Sequence, residues 1–128
     1  MKIKLTSIMV DDQDKALEFY TTKLGFIKKT DVPLGKYKWL TVVNEDAPDG
    51  TEILLEPMEF APAKVFQKAL YDAGIPLTAF LSEQLEEEYE KLVGMGVDFT
   101  MKPTAMGTVK IAVFKDGCGN LIQLFQPL

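Results

Sequence analysis

Any chemistry in this chain must come from carboxylates, amides, lysines, tyrosines or a single thiol. Its 128 residues include 14 lysines and 19 acidic residues, but no histidine and no arginine. Without histidine there is no Ser-His-Asp triad, no Cys-His dyad and no imidazole metal site. Without arginine the bidentate clamp for carboxylate or phosphate is missing. Cys118 sits in a Gly-Cys-Gly turn and reads as exposed. Nothing near it in sequence favours the thiolate, so it is a poor nucleophile.

A few side chains within apolar segments remain as candidates. Glu56 can be read as a cavity acid, a general base or a lone acceptor, or as a strand-end carboxylate reaching solvent before Pro57. Gln123 lies inside an apolar strand, where a buried amide needs partners. Ligand contact and a structural hydrogen bond both fit it. Trp39 shares its expected face with Thr41, which suits either a core position or an aromatic wall for a flat organic molecule. Lys110 is either a cavity residue or a solvated rim lysine. Tyr20 and Tyr89 read as packing residues with their hydroxyls at the rim. The run Glu83, Glu86, Glu87, Glu88 and Glu90 reads as the solvated face of a helix whose apolar stripe lies elsewhere.

The elements that must position these residues are legible from periodicity and turn chemistry. Ile3 to Val10 alternates as a strand, with Ile8 and Val10 on one face and Leu5, Ser7 and Met9 on the other. Asp11 or Asp12 caps a helix running to about Leu24, and Gly25 ends it. Strands follow at Phe26–Asp31, Tyr37–Val43 and Glu52–Glu56. Phe60 to Gly74 reads as a linking helix. The pattern then recurs: a strand at Leu77–Leu81, Ser82 as N-cap, and a helix over Glu83–Val93. Strands at Val97–Met101, Thr108–Phe114 and Asn120–Phe125 complete the second half.

The halves overlay at a separation of about 70 residues. Gly25 falls on Gly96, Trp39-Leu40-Thr41 on Lys110-Ile111-Ala112, and Gly50 to Ile53 on Gly119 to Ile122. The expected fold is therefore α+β: two tandem β-α-β-β-β modules forming a curved mixed sheet around a cavity, with helices outside. Module one is 1–57, the linker helix 58–75 and module two 76–128, within one domain of 1–128.

Composition bounds the rest. Apolar residues are 47% and charged residues 26%, as expected for a globular chain with a real core. A net charge of −5 argues against nucleic acid or an anionic membrane as partner. One cysteine forms no internal disulfide. The absence of an N-terminal apolar h-region or a long apolar run makes cytoplasmic the expected location.

The sequence resembles the vicinal oxygen chelate superfamily of glyoxalases, bleomycin-resistance proteins and extradiol dioxygenases. The resemblance is carried by Val10-Asp11-Asp12, Lys15 to Tyr20, Lys23 to Phe26, and Phe114 to Phe125. Together with the duplication it covers nearly the whole chain. It implies paired modules around a cavity, a homodimer, and in enzymatic members one divalent metal held by four histidine, glutamate or glutamine side chains. Carried over by position, those ligands fall at Leu5, Leu77 and Gln123. The fourth falls at Leu54 or Glu56, depending on strand register. Leucines cannot bind a cation, so no metal and no other cofactor is expected, and Glu56 and Gln123 are the residual metal candidates. The expectation leans against an enzyme and towards a small-molecule binder that sequesters a drug or metabolite, with ligand contacts from Leu5, Trp39, Thr41, Glu56, Leu77, Lys110, Gln123 and Phe125. The alternative is a lyase, isomerase or dioxygenase with a degenerate metal site, or with Glu56 as a metal-free acid/base.

Overall fold

The computed structural model describes residues Met1–Leu128. In the first half, β1 (Leu5–Val10) leads to α1 (Gln13–Glu18), which continues as one π-helical turn over Phe19–Lys23. Strands β2 (Ile27–Leu34), β3 (Tyr37–Val43) and β4 (Glu52–Pro57) follow, and then α2 (Ala61–Asp72). The second half comprises β5 (Thr78–Leu81), α3 (Leu85–Gly94), β6 (Phe99–Met106), β7 (Val109–Lys115) and β8 (Leu121–Pro127). The architecture is α+β, as the duplication implies. Each half carries a four-stranded mixed sheet, in order β1-β4-β3-β2 and β5-β8-β7-β6, and neither closes into a barrel. The chain divides into two units, Met1–Val65 and Phe66–Leu128, with the division inside α2.

In the first unit the expected N-cap is Asp12, whose carboxylate accepts from the Lys15 amide at 2.9 Å. Gly25 ends the helix at a φ of 80°, a left-handed conformation that costs other residues strain. Register divides the side chains between two faces. Ile8 and Val10 of β1, Leu40 and Val42 of β3, and Leu55 of β4 share the helix-covered face, and all are buried with Ala16 and Tyr20. The alternate residues face the other way. Tyr20 is wholly buried, hydroxyl included, so it is a core residue and not a rim residue. The π-helical turn accounts for this in part: one extra residue per turn shifts the helix face, and Tyr20 stacks on Phe26 with centroids 6.4 Å apart.

The second unit repeats the plan with differences. Ala112, Phe114, Ile122 and Leu124 form its helix-covered face, and Phe99 packs edge-on against Tyr89 at 4.7 Å. Ser82 does not cap α3: Gln84 occupies that position, without a side-chain cap. The Ser82 hydroxyl instead donates to the Glu88 carboxylate. Cys118 is buried, not exposed. Its turn wraps the carboxylate of the buried Asp116, whose Oδ1 accepts from the Cys118 amide at 2.7 Å and the Asn120 amide at 3.0 Å.

Candidate functional site

The two open faces carry most of the expected site residues, four on the first sheet and two on the second. In the first unit, pairing places Leu5 opposite Glu52 and Met9 opposite Glu56 on β1 and β4, and Thr41 opposite Leu54 on β3 and β4. Leu5, Trp39, Thr41 and Glu56 therefore share the face turned away from the helix, and Val32, opposite Trp39, joins them from β2. The centre of this face, Thr41 and Leu54, is buried. Its outer positions are open: Leu5 is 42%, Trp39 40% and Val32 52% exposed. Glu56 is also exposed and makes no hydrogen bond or ion pair.

Thr41 corrects an expectation. Its hydroxyl accepts from the Thr30 amide at 3.2 Å and donates to Glu52 Oε1 at 2.7 Å. With no exposed surface and a committed hydroxyl, it ties three strands together and does not present a ligand contact.

In the second unit, Gln123 and Phe125 lie on the open face with Leu81, Ile111 and Val113. Leu77 precedes β5 and is tied to β8 by its amide, which donates to the Leu121 carbonyl at 2.9 Å. Lys110 is not among them. Thr41 opposite Leu54 corresponds to Val113 opposite Gln123, so Ile111, not Lys110, takes the place of Trp39. Lys110 sits one position over, on the helix-covered side, and its Nζ meets Glu86 of α3 at 2.7 Å. Lys38 and Asp14 form the matching pair in the first unit at 2.5 Å. That pair holds the Lys38 pKa above its ordinary 10.5, chiefly through the Asp14 hydrogen bond. A one-residue slip in a strand alignment exchanges the faces, which is how Lys110 came to be expected at the site.

One residue that the sequence did not single out shapes the first open face. Pairing of β3 with β4 stops at Thr41–Leu54, although β4 continues beside β1 to Pro57. The buried Gln13 side chain fills the gap in the ladder. Its Nε2 donates to the carbonyls of Lys38 at 2.8 Å and Leu55 at 2.9 Å, and its Oε1 accepts from the Lys38 amide at 3.1 Å. A glutamine at the first position of an amphipathic helix is common on exposed surfaces, so periodicity alone gave no signal for this role.

The donor set at the positions corresponding to metal ligands is sparse. Leu5 and Leu77 offer hydrocarbon, Glu56 one carboxylate and Gln123 one amide. No three histidine, cysteine, aspartate or glutamate side chains cluster in a way that could hold a metal ion. Two hollows lie elsewhere. One of about 400 Å³ is lined by Leu24 to Phe26 and Asn44 to Asp46, and one of about 530 Å³ by Leu81 to Gln84 with Glu87, Glu88 and Lys91. Neither includes Trp39, Glu56 or Gln123.

Two units of one β-α-β-β-β plan, each with a helix-covered face and an open face, define a class of internally duplicated α+β proteins. The family model described as Glyoxalase/Bleomycin resistance protein/Dioxygenase superfamily matches residues 2–124, and the chain belongs to that superfamily. It is 58% identical over 126 residues to the uncharacterized protein YurT of Bacillus subtilis (strain 168), covering 98% of this chain and 99% of that one. Among solved structures, UcmS2 superposes with a TM-score of 0.83 at 31% identity, over 98% of this chain and 97% of the other. TnmS3, an antibiotic binding protein from Streptomyces sp. CB03234, superposes with a TM-score of 0.78 at 26% identity, over 100% and 97%.

No helix is long and apolar enough to cross a membrane.

Proposed function

We propose that this chain is a small-molecule-binding protein of the superfamily, one that captures a planar organic molecule without using a metal. The observation that carries the reading is the half-exposed Trp39 on the open face of the first sheet, among Leu5, Val32 and the unpaired Glu56. An indole with one face free offers stacking area at little entropic cost, and neighbouring aliphatic side chains add apolar contact. An adjacent unpaired carboxylate favours a ligand bearing a positive charge and disfavours an anion. The similarity to TnmS3 supports the same reading, since that protein binds an antibiotic.

The donor chemistry supports metal independence. One carboxylate and one amide would leave a divalent ion mostly hydrated and weakly held. An acid/base role for Glu56 would require a water-excluded setting to gain leverage, and Glu56 is exposed.

The test is calorimetric titration with a planar cationic dye, acridine orange, into protein treated with EDTA. The reading expects saturable binding that Trp39→Ala weakens by about tenfold or more, as for a central aromatic anchor, and that Glu56→Gln weakens less. Trp39→Phe should retain most of it. Metal-dependent turnover of a glutathione hemithioacetal or a catechol, lost in Glu56→Gln, would instead establish the enzyme reading.

A further inference from the structure

We infer that Gln13 is a positioning residue for the Trp39–Glu56 face, because it holds β3 and β4 apart where the ligand must enter. The inference rests on the binding function proposed above but can be read without a ligand. In an uninterrupted antiparallel ladder, the register that pairs Thr41 with Leu54 would bring Trp39 directly opposite Glu56. Opposed side chains on one face start from Cβ atoms about 4.5–5.5 Å apart. That spacing lets them contact each other but leaves no room for a ring between them. A planar molecule stacked on the indole and facing the carboxylate needs about twice the thickness of an aromatic ring.

The second sheet shows the closed alternative within the same chain. There the β7–β8 ladder runs unbroken from Lys115–Leu121 to Val109–Pro127. The places of Trp39 and Glu56 are taken by Ile111 and Phe125, directly paired. Both α1 and α3 start at corresponding positions, Gln13 and Leu85. Leu85 is fully buried and has no side-chain donor or acceptor to offer a strand. The first unit has an open ladder and a glutamine, and the second a closed ladder and a leucine.

The carboxamide of Gln13 suits the task because it is a peptide group in miniature. Its three bonds satisfy the Lys38 amide and carbonyl and the Leu55 carbonyl. In an intact ladder Lys38 would face Pro57, which has no N–H, so the facing strand could partner the Lys38 amide and the Leu55 carbonyl but not the Lys38 carbonyl. Buried backbone groups left without partners would otherwise favour closure. Gln13 thus makes the parted state of β3 and β4 a satisfied one.

The test replaces Gln13 with the second unit's own residue, Gln13→Leu, and with Gln13→Met, which keeps length and volume but lacks the amide. Amide hydrogen exchange is followed along Tyr37–Val43 and Glu52–Pro57, together with the emission maximum of Trp39 and the affinity for acridine orange. Closure predicts slowed exchange at Leu40, a shifted Trp39 emission maximum and about tenfold weaker dye binding, at a largely retained melting temperature. If neither variant changes exchange at Leu40 or the Trp39 emission, Gln13 does not hold the strands apart and the inference fails. If those two signals change but the wild type binds no dye, the strand-parting role stands and the binding proposal is what fails. Unchanged dye affinity despite a closed ladder would overturn the positioning role.

Discussion

Thr41 and Trp39 are two residues apart on one strand face, yet the structure assigns them different work. Thr41 commits its hydroxyl to Thr30 and Glu52 while fully buried. Thr41→Val is therefore expected to cost about 1 kcal/mol, because it leaves the half-buried Thr30 amide without its acceptor and Glu52 without its donor. Thermal denaturation should show this as a lowered melting temperature, with dye binding retained. Trp39→Ala should behave oppositely, weakening binding with a smaller loss of stability, since 40% of the residue is exposed. Two lysines give a pH signature. Asp14 raises the Lys38 pKa, and Asp98, 3.1 Å from Lys115, raises that of Lys115. A raised folded-state value means the pair's contribution is fully present below the unfolded pKa, near 10.5, and is lost as pH rises through the folded value. Lysine-resolved NMR titration should find both groups titrating above the ordinary lysine value of 10.5, and Asp14→Asn should remove the rise at Lys38. Both ion pairs are exposed, so their effect on stability is small.

At the scale of elements, the difference between what was legible and what was not comes down to single-residue insertions. The helix starts, Gln13 and Leu85, and the lysines Lys38 and Lys110 are 72 residues apart, but Gly25 and Gly96 are 71 apart. The π-helical turn at Phe19–Lys23 accounts for the lost residue, and the irregular pairing of β6 between Phe99 and Thr104 restores it. Aligning the halves on their glycines therefore carries Lys110 onto Trp39 and places it on the wrong face. Hydrophobic alternation cannot detect such a slip, because β7 is apolar on both faces at its centre, from Ile111 to Phe114. The linking helix was legible by its spacing, but its attachment was not. Gln67 is its buried residue, and its Nε2 donates to the Cys118 carbonyl at 3.2 Å and to Asn120 Oδ1 at 3.0 Å. Gly119 must be glycine here: its φ is 98°, and a Cβ would lie 2.6 Å from Gln67 Oε1. Gln67→Glu keeps the shape but replaces the donor with an acceptor facing two oxygens. It should loosen α2 and speed thiol labelling of Cys118 by roughly tenfold, and unchanged labelling would show that packing alone holds the helix.

For the whole molecule, duplication made the architecture readable, because two copies of one strand-helix-strand pattern constrain each other. The site was less readable, since it depends on where the copies differ. Leu5 and Leu77 are alike, but Trp39 and Glu56 stand where the second unit has Ile111 and Phe125. The central claim is that the first sheet's open face, and not its counterpart, receives a planar ligand without metal. We extend it to a homodimer, which sedimentation should show as a mass of twice 14.3 kDa. The most direct test is NMR mapping of acridine orange titrated into isotope-labelled protein in the presence of EDTA. The account predicts shifts concentrated at Leu5, Val32, the Trp39 indole and Glu56, with the Ile111–Phe125 face largely unchanged. Shifts centred on Gln123 and Phe125, or on the acidic hollow around Glu83 and Glu87, or appearing only after a divalent metal is added, would contradict it.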